Sequence, residues 1–182
     1  TYTAVMQGVE QGSLDLDTDV NTYLDDSRVT VPNAYDDPVT LRHLGTHTAG
    51  FESTLDPVIV SDPDALDSLE ALLTSQQPSR IRPPGELVGY SNYGAALAGY
   101  IVAEAHDSTF EEYVQAEIFE PLGMTHSTFA QPVPADQRGD LAAPHVRDGD
   151  SFLAADDVYL NMRPAGSLSA TATDMATFMR AH

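Results

Sequence analysis

The stretch PPGELVGYSNYGAALAGYIVAEAH, residues 83–106, joins a proline- and glycine-rich loop to a run of small and apolar residues. The run predicts a buried helix over Asn92–Ala105. Gly94 and Gly99 lie within it, and each glycine costs a helix about 1 kcal/mol relative to alanine. We therefore expect close packing of this helix against another element to offset that cost.

Three polar residues, Tyr90, Ser91 and Asn92, stand where this helix begins. Backbone N–H groups at a helix start lack partners within the helix. A phenol there can act as a general base if a nearby cation lowers its pKa well below about 10. An asparagine amide can both donate and accept hydrogen bonds. The simpler alternative is that Ser91 or Asn92 caps the helix and Tyr90 packs against it.

The rest of the sequence predicts more helices and little strand. The signals are apolar residues at helical spacing, capping residues and terminal glycines or prolines. They predict helices over residues 1–11, 40–50, 62–76, 108–119 and 171–180, and a hairpin that turns at Asp148-Gly149. The length of 182 residues suits one domain, and there is no internal repeat or linker. We expect a mainly α chain with a small β component.

The composition is strongly acidic. Twenty-eight aspartates and glutamates face eight arginines, which gives a net charge of −20, and there is neither lysine nor cysteine. Such a surface repels the phosphates of nucleic acids and of anionic lipids, so no nucleic-acid partner is expected. No apolar run approaches the roughly 18 residues of a membrane span. Because the acids are spread along the chain, we favour a solvated surface suited to a salt-rich environment over a partner-binding acidic tail.

One pair of histidines imitates a zinc site. His43 and His47 are four positions apart, which is a spacing of metal ligands on a helix. A zinc protease of this pattern has glutamate after the first histidine, and Leu44 stands there. We therefore interpret the two imidazoles as partners in local hydrogen bonds, and we predict no metal site.

One acidic segment imitates a calcium-binding loop. Asp15, Asp17 and Asp19 alternate as at the start of such a loop, and Asp26 would close it. The loop requires a glycine at its sixth position, where Val20 stands, and a bidentate glutamate at its twelfth. The favoured interpretation is a solvated acidic turn, with loose cation binding at high salt as the alternative.

Five segments, taken together and in order, resemble motifs of the serine β-lactamase-like family. That family groups class C β-lactamases, penicillin-binding proteins, D-amino-acid peptidases and related esterases. Ala49 stands where the family usually has serine. The segments are TYTAVMQGVEQGSLDLDTDV (residues 1–20), LRHLGTHTAGF (41–51), Pro84-Gly85 with Tyr90-Ser91-Asn92, PLGM (121–124) with Thr128-Phe129, and PAGSLSATATDMATFM (164–179).

The resemblance implies roles for the polar residues at the start of the central helix. In this family the nucleophile is the serine of a Ser-x-x-Lys motif, and the lysine ammonium lowers the pKa of a tyrosine. Tyr90 would be that catalytic tyrosine, acting first as base and then as acid. Asn92 would bridge the lysine and the substrate's amide or ester group, with Ser91 beside it at the substrate. No cofactor is implied.

The chain also departs from the family pattern. It contains no lysine, so Ser-x-x-Lys cannot lie within it, and no Lys/His-x-Gly motif follows the last helix. We therefore expect residues 1–182 to be a single partial domain. It would be the helical lobe of the β-lactamase/transpeptidase-like α+β fold, missing most of the sheet, with the nucleophile segment and the terminal strands absent.

The expected function follows from the resemblance. The parent protein would be a serine hydrolase that acts through an acyl-enzyme on an amide, ester or lactam in a small molecule or peptide, and this chain alone would be inactive. The alternative is a degenerate relative that binds peptides or cell-wall fragments without cleaving them. The lack of a Gly-x-Ser-x-Gly motif argues against an α/β-hydrolase. The resemblance is compatible with an extracellular or cell-surface location and predicts no oligomeric state.

Overall fold

The computed structural model describes residues 1–25, 27–53 and 59–182. A π-helical turn, Gln115–Phe119, joins the fifth helix to the sixth. No helix within these ranges is long and apolar enough to cross a membrane. The helices of the described ranges are α1 (Tyr2–Gln11), α2 (Leu41–Gly45), α3 (Leu69–Ser75), α4 (Asn92–Ala105), α5 (Phe110–Val114), α6 (Glu120–Leu122) and α7 (Ala172–Ala181).

The strands are short and form two-stranded antiparallel sheets. The hairpin predicted at Asp148-Gly149 is confirmed, with both of its strands exposed. The prediction of a mainly α chain with a small β component is also confirmed. The pairs are β1 (Ile59–Val60) with β5 (Tyr159–Leu160), β2 (Ser127–Thr128) with β6 (Ser169–Ala170), and β3 (His145–Asp148) with β4 (Ser151–Ala154).

Helix α4 is the centre of the core. Ten of its 14 residues are buried, and it contacts α1, α2, α3 and α5. The turn Arg163–Ala165 crosses it at Gly99, where a Cβ on the glycine would lie 2.5 Å from the Cβ of Pro164. An ion pair of 2.5 Å between Arg163 and Glu111 holds this turn in place. The close approach confirms the packing expected for this glycine.

Gly99→Ala is expected to destabilise the fold by up to about 2 kcal/mol. Overpacking against Pro164 costs about 1–3 kcal/mol, and a gain of about 1 kcal/mol in helix propensity offsets part of that cost. Gly94 is the matched control on the same helix, because a Cβ there would meet its nearest neighbours at 3.6–3.7 Å. Gly94→Ala should be neutral or stabilising. Urea unfolding followed by circular dichroism measures both, and equal stabilities would contradict the close packing.

The helix predicted over residues 62–76 is wrong in its first half, because α3 begins only at Leu69. Asp62 caps a short 3₁₀ turn, Pro63–Ala65, which ends in an extended residue. The hydroxyl of Ser68 then accepts a backbone hydrogen bond at 3.1 Å and caps α3. Both signals are good helix starts, and the second one begins the longer helix.

The helix predicted from residue 108 is capped one residue later than expected. Thr109 and Glu112 form the capping box, and the carboxylate of Glu112 accepts the N–H of Thr109 at 3.0 Å. The predicted end at Phe119 is also too early, because the π-helical turn carries the chain on to Leu122. Gly123, in left-handed backbone at φ 69°, then ends the helical segment.

The predicted bounds of α1, α4 and α7 are confirmed to within one residue. Gly12 ends α1 with φ 78°, and Thr171 caps α7 through its side chain. Helix α2 begins after its predicted cap, Thr40, but ends at Gly45 rather than at residue 50. The residues that follow α2 form a turn with His47 in left-handed backbone at φ 56°, and this turn belongs to the site.

Candidate active site

Tyr90 lies at the end of the loop before α4 and is 62% exposed. Its hydroxyl donates a hydrogen bond of 3.0 Å to Oδ1 of Asn92, the first residue of the helix. The structure therefore brings together the two residues that the sequence singled out. A phenol in this position is open to a reactant and is oriented by an amide.

Ser91 is buried and serves as the N-cap of α4. Its hydroxyl oxygen accepts the N–H of Gly94 at 3.0 Å. This contact matches the capping alternative for Ser91, because it satisfies one of the unpaired donors at the helix start. That Ser91 also binds substrate stays a prediction.

His47 lies against the loop that carries Tyr90. Its Nδ1 accepts the backbone N–H of Ser91 at 3.3 Å. Its ring centroid is 4.6 Å from that of Tyr90, with the ring planes tilted by 39°. His43 has a different partner, since its Nδ1 accepts the N–H of Thr40 at 3.3 Å in the capping box of α2. The two imidazoles therefore make local hydrogen bonds, as interpreted from the sequence.

In the acidic segment that imitates a calcium loop, the carboxylates of Asp15 and Asp19 accept hydrogen bonds from the backbone of the same segment. The carboxylate of Asp15 accepts the N–H groups of Asp17 at 2.7 Å and Thr18 at 3.1 Å, and Asp19 caps a short 3₁₀ turn. Asp26, the predicted closing residue, lies outside the described residues. Across the part of the chain that the structure describes, no group of three or more candidate side chains is placed to hold a metal ion.

A second tyrosine, Tyr2 at the start of α1, packs on the last residue of α2. Burial raises the pKa of Tyr2 to about 12, with a smaller contribution from the charge of Tyr90. The ring of Tyr2 covers Gly45, where a Cβ would lie 3.2 Å from Cε1 of the tyrosine. Its hydroxyl is buried without a partner among the described residues. Tyr2 is therefore a neutral phenol at neutral pH, and it brings the start of α1 near the site.

Arg82 brings a positive charge to the same loop. Its guanidinium Nη2 lies 3.4 Å from the position that a Cβ on Gly89 would take. Gly89 directly precedes Tyr90 in the chain. The ion pairs of the described residues do not include Arg82. In a chain without lysine, this arginine places a cation beside the residue that precedes Tyr90.

Two segments run side by side and form the wall of the site, residues 48–52 and residues 79–85. Gly50 lies at their closest approach, with φ 80° and a position where a Cβ would overlap the carbonyl oxygen of Arg82. Backbone hydrogen bonds of 2.8–2.9 Å join the segments, from Glu52 to Ser79, from Ile81 to Gly50 and from Gly85 to Thr48. The loop that ends at Tyr90 is therefore anchored along its length.

Sequence patterns predict Tyr90 and Asn92 at the site but do not assign Tyr2, His47 or Arg82 a role beside Tyr90. The spacing of the histidines drew attention to His47, but only as a candidate metal ligand. The contacts of these three residues come from tertiary packing. Tyr2 and His47 lie within segments 1–20 and 41–51, which resemble family motifs, but that resemblance does not show which residues they contact.

The chain matches the Beta-lactamase family over residues 1–182. The monacolin J acid methylbutanoyltransferase of Aspergillus terreus is 32% identical over 178 residues, which cover 86% of this chain and 42% of that protein. The crystal structure of a penicillin binding protein from Bacillus halodurans has a TM-score of 0.72 at 28% identity, covering 98% of this chain and 54% of that chain. The crystal structure of a class C beta lactamase has a TM-score of 0.72 at 25% identity, covering 98% of this chain and 46% of that chain.

This chain spans about a quarter to two fifths of the length of the curated relatives it matches. The likeness to the solved structures extends over nearly all of this chain. The order of the sequence motifs and the mainly α fold agree with these matches. Because the family match covers every residue of the chain, the chain belongs to the serine β-lactamase-like family.

Proposed function

We propose that the protein carrying this chain is a serine hydrolase that acts through an acyl-enzyme on an amide, ester or lactam. The observation that carries the proposal is the exposed Tyr90 hydroxyl, hydrogen-bonded to Oδ1 of Asn92 at 3.0 Å. A general base must be reachable by the reactant and held by a neighbour. Tyr90 meets both requirements.

In the proposed reaction Tyr90, as the phenolate, takes the proton of a serine hydroxyl while the serine oxygen bonds to the substrate's carbonyl carbon. Tyr90 then returns that proton to the leaving nitrogen or oxygen of the substrate. The bond between this leaving atom and the carbonyl carbon breaks, and a serine ester remains. Water attacks the ester through the same two proton transfers and releases the product acid. Asn92 orients the amide or ester group of the substrate.

The serine nucleophile and its lysine are proposed to lie outside residues 1–182. The reason is that these residues contain no lysine and therefore no Ser-x-x-Lys. Residues 1–182 alone should then bind substrate weakly and turn none over. In the whole protein the lysine ammonium would supply the charge that keeps the Tyr90 phenol deprotonated.

Covalent labelling tests the proposal. The whole protein should take up a fluorescent penicillin or a fluorophosphonate on the serine of a Ser-x-x-Lys sequence, and residues 1–182 alone should take up neither. Intact mass spectrometry and peptide mapping measure both results. A label on Ser91 would overturn the assignment of the nucleophile. Saturable binding of the penicillin without any covalent label would overturn the hydrolase and support the peptide- or cell-wall-binding alternative.

A further inference from the structure

We propose that His47 positions the ring of Tyr90 for proton transfer, a role that rests on the function proposed for Tyr90. Its backbone carbonyl accepts the N–H of Gly89 at 2.8 Å. Its Nδ1 accepts the N–H of Ser91 at 3.3 Å. Its ring lies 4.6 Å from the Tyr90 ring, centroid to centroid. One residue thus holds the position before Tyr90, the position after it and the ring itself.

Tyr90 depends on such a support because most of its surface faces solvent. An exposed side chain samples several rotamers, and holding it in one of them has an entropic cost. A proton-transfer group that moves by about 1 Å can lose about 100-fold in rate. A flat ring packed against the tyrosine restricts this motion and leaves the hydroxyl free to face a reactant.

His47 is itself fixed by the end of α2. Its N–H donates to the carbonyl of Leu44 at 3.2 Å, and the side chain of Leu44 is buried in the core. Helix α2 packs against α4, so the support and the residue it supports are attached to contacting helices. A site held by regular elements in this way is more precise than one held by a free loop.

Three properties of histidine fit this position. Its backbone is left-handed at φ 56°, a conformation that histidine, asparagine and aspartate adopt more readily than other side chains. Its Nδ1 accepts a hydrogen bond, so the neutral ring carries its hydrogen on Nε2. Its ring is flat. Asparagine also adopts left-handed backbone readily and has a hydrogen-bond acceptor, but it has no ring. Glycine adopts left-handed backbone but has neither the acceptor nor the ring.

A second histidine–tyrosine pair gives a matched control. The ring centroids of His106 and Tyr113 lie 4.5 Å apart with the planes tilted by 40°, which is nearly the geometry of His47 and Tyr90. His106 follows the last residue of α4. It therefore lies roughly 20 Å from the start of that helix, at a rise of about 1.5 Å per residue. His106→Asn removes an equivalent contact far from the site.

Steady-state kinetics of the whole protein on a p-nitrophenyl ester tests the role. His47→Gly should lower kcat by about 10-fold or more, with KM changed by less than about twofold. His47→Asn should fall between His47→Gly and the wild type, and His106→Asn should match the wild type. In a Tyr90→Phe background, His47→Gly should lower kcat no further, because it acts through the tyrosine hydroxyl. An unchanged kcat in His47→Gly, or a further 10-fold loss in the Tyr90→Phe background, would overturn the role.

NMR of the tyrosine rings separates this inference from the proposed function. In protein labelled with ¹³C in its tyrosine rings, the Tyr90 signal is the one that Tyr90→Phe removes. His47→Gly should shift that signal because the adjacent ring is lost, and His106→Asn should shift only the signal of Tyr113. If the wild-type protein turns over no acyl substrate, the proposed function fails and this spectrum alone decides whether His47 holds the ring. An unmoved Tyr90 signal in folded His47→Gly protein refutes the contact in either case.

Discussion

Tyr90→Phe should lower kcat/KM of the whole protein on an ester or lactam by at least about 100-fold, the lower end of a general acid–base contribution. The substitution removes the hydroxyl that donates to Asn92, which is the group proposed to carry the proton. It keeps the ring and therefore the contact with His47 at 4.6 Å. Because the side chain is largely exposed, the free energy of unfolding should change by less than about 0.5 kcal/mol.

Tyr113→Phe is the control for this prediction. The Tyr113 hydroxyl is buried without a partner among the described residues, and the Tyr113 ring packs on His106 at the far end of α4. Its removal should leave kcat/KM unchanged. A loss smaller than about 10-fold in Tyr90→Phe would show that Tyr90 does not transfer the proton. A rise in KM with kcat unchanged would instead assign Tyr90 to substrate binding.

The parts of the fold that the sequence predicted are those with a single local signal. Helix α4 follows from one run of small and apolar residues, and its bounds are as predicted. The errors occur where two signals compete. Asp62 and Ser68 are both good caps six residues apart, and Ser108 and Thr109 are adjacent hydroxyl residues that each have a glutamate three residues on. Tertiary packing decides between such alternatives, and local patterns do not contain that information.

The site shows the same division between local and tertiary information. Tyr90 and Asn92 are two residues apart, so a local motif was enough to predict them together. The contact between His47 and Tyr90 joins residues 43 positions apart, and it exists because α2 packs on α4. The loop before α4 folds back on itself, and this brings the guanidinium of Arg82 next to Gly89. These contacts could be found only in the assembled structure.

The wall of the site depends on one glycine. Residues 48–52 and 79–85 approach each other so closely at Gly50 that a Cβ would overlap the carbonyl oxygen of Arg82. His47 directly precedes the first segment, and Tyr90 follows the second segment by five residues. The spacing that brings the histidine ring onto the tyrosine ring is therefore set in part by the missing side chain at this position.

Gly50→Ala should consequently destabilise the protein by about 2–5 kcal/mol. Left-handed backbone costs an alanine about 1–2 kcal/mol, and forcing the two segments apart adds about 1–3 kcal/mol. Urea unfolding followed by circular dichroism measures the change. Gly12→Ala is the control, because Gly12 has nearly the same φ of 78° but no atom within 4 Å of its Cβ position. Gly12→Ala should lower the free energy of unfolding only by the cost of left-handed backbone, about 1–2 kcal/mol.

The difference between these two variants isolates the contact between the segments. If Gly50→Ala is no less stable than Gly12→Ala, the segments are not held together at Gly50. If it is less stable, the folded fraction of Gly50→Ala should also have a lower kcat, because the shifted loop moves Tyr90 away from His47. Gly12 is exposed and lies at the end of α1. Gly12→Ala should therefore keep the wild-type kcat. A stability loss at Gly50 without a loss of kcat would separate the wall from the catalytic geometry and contradict the coupling between them.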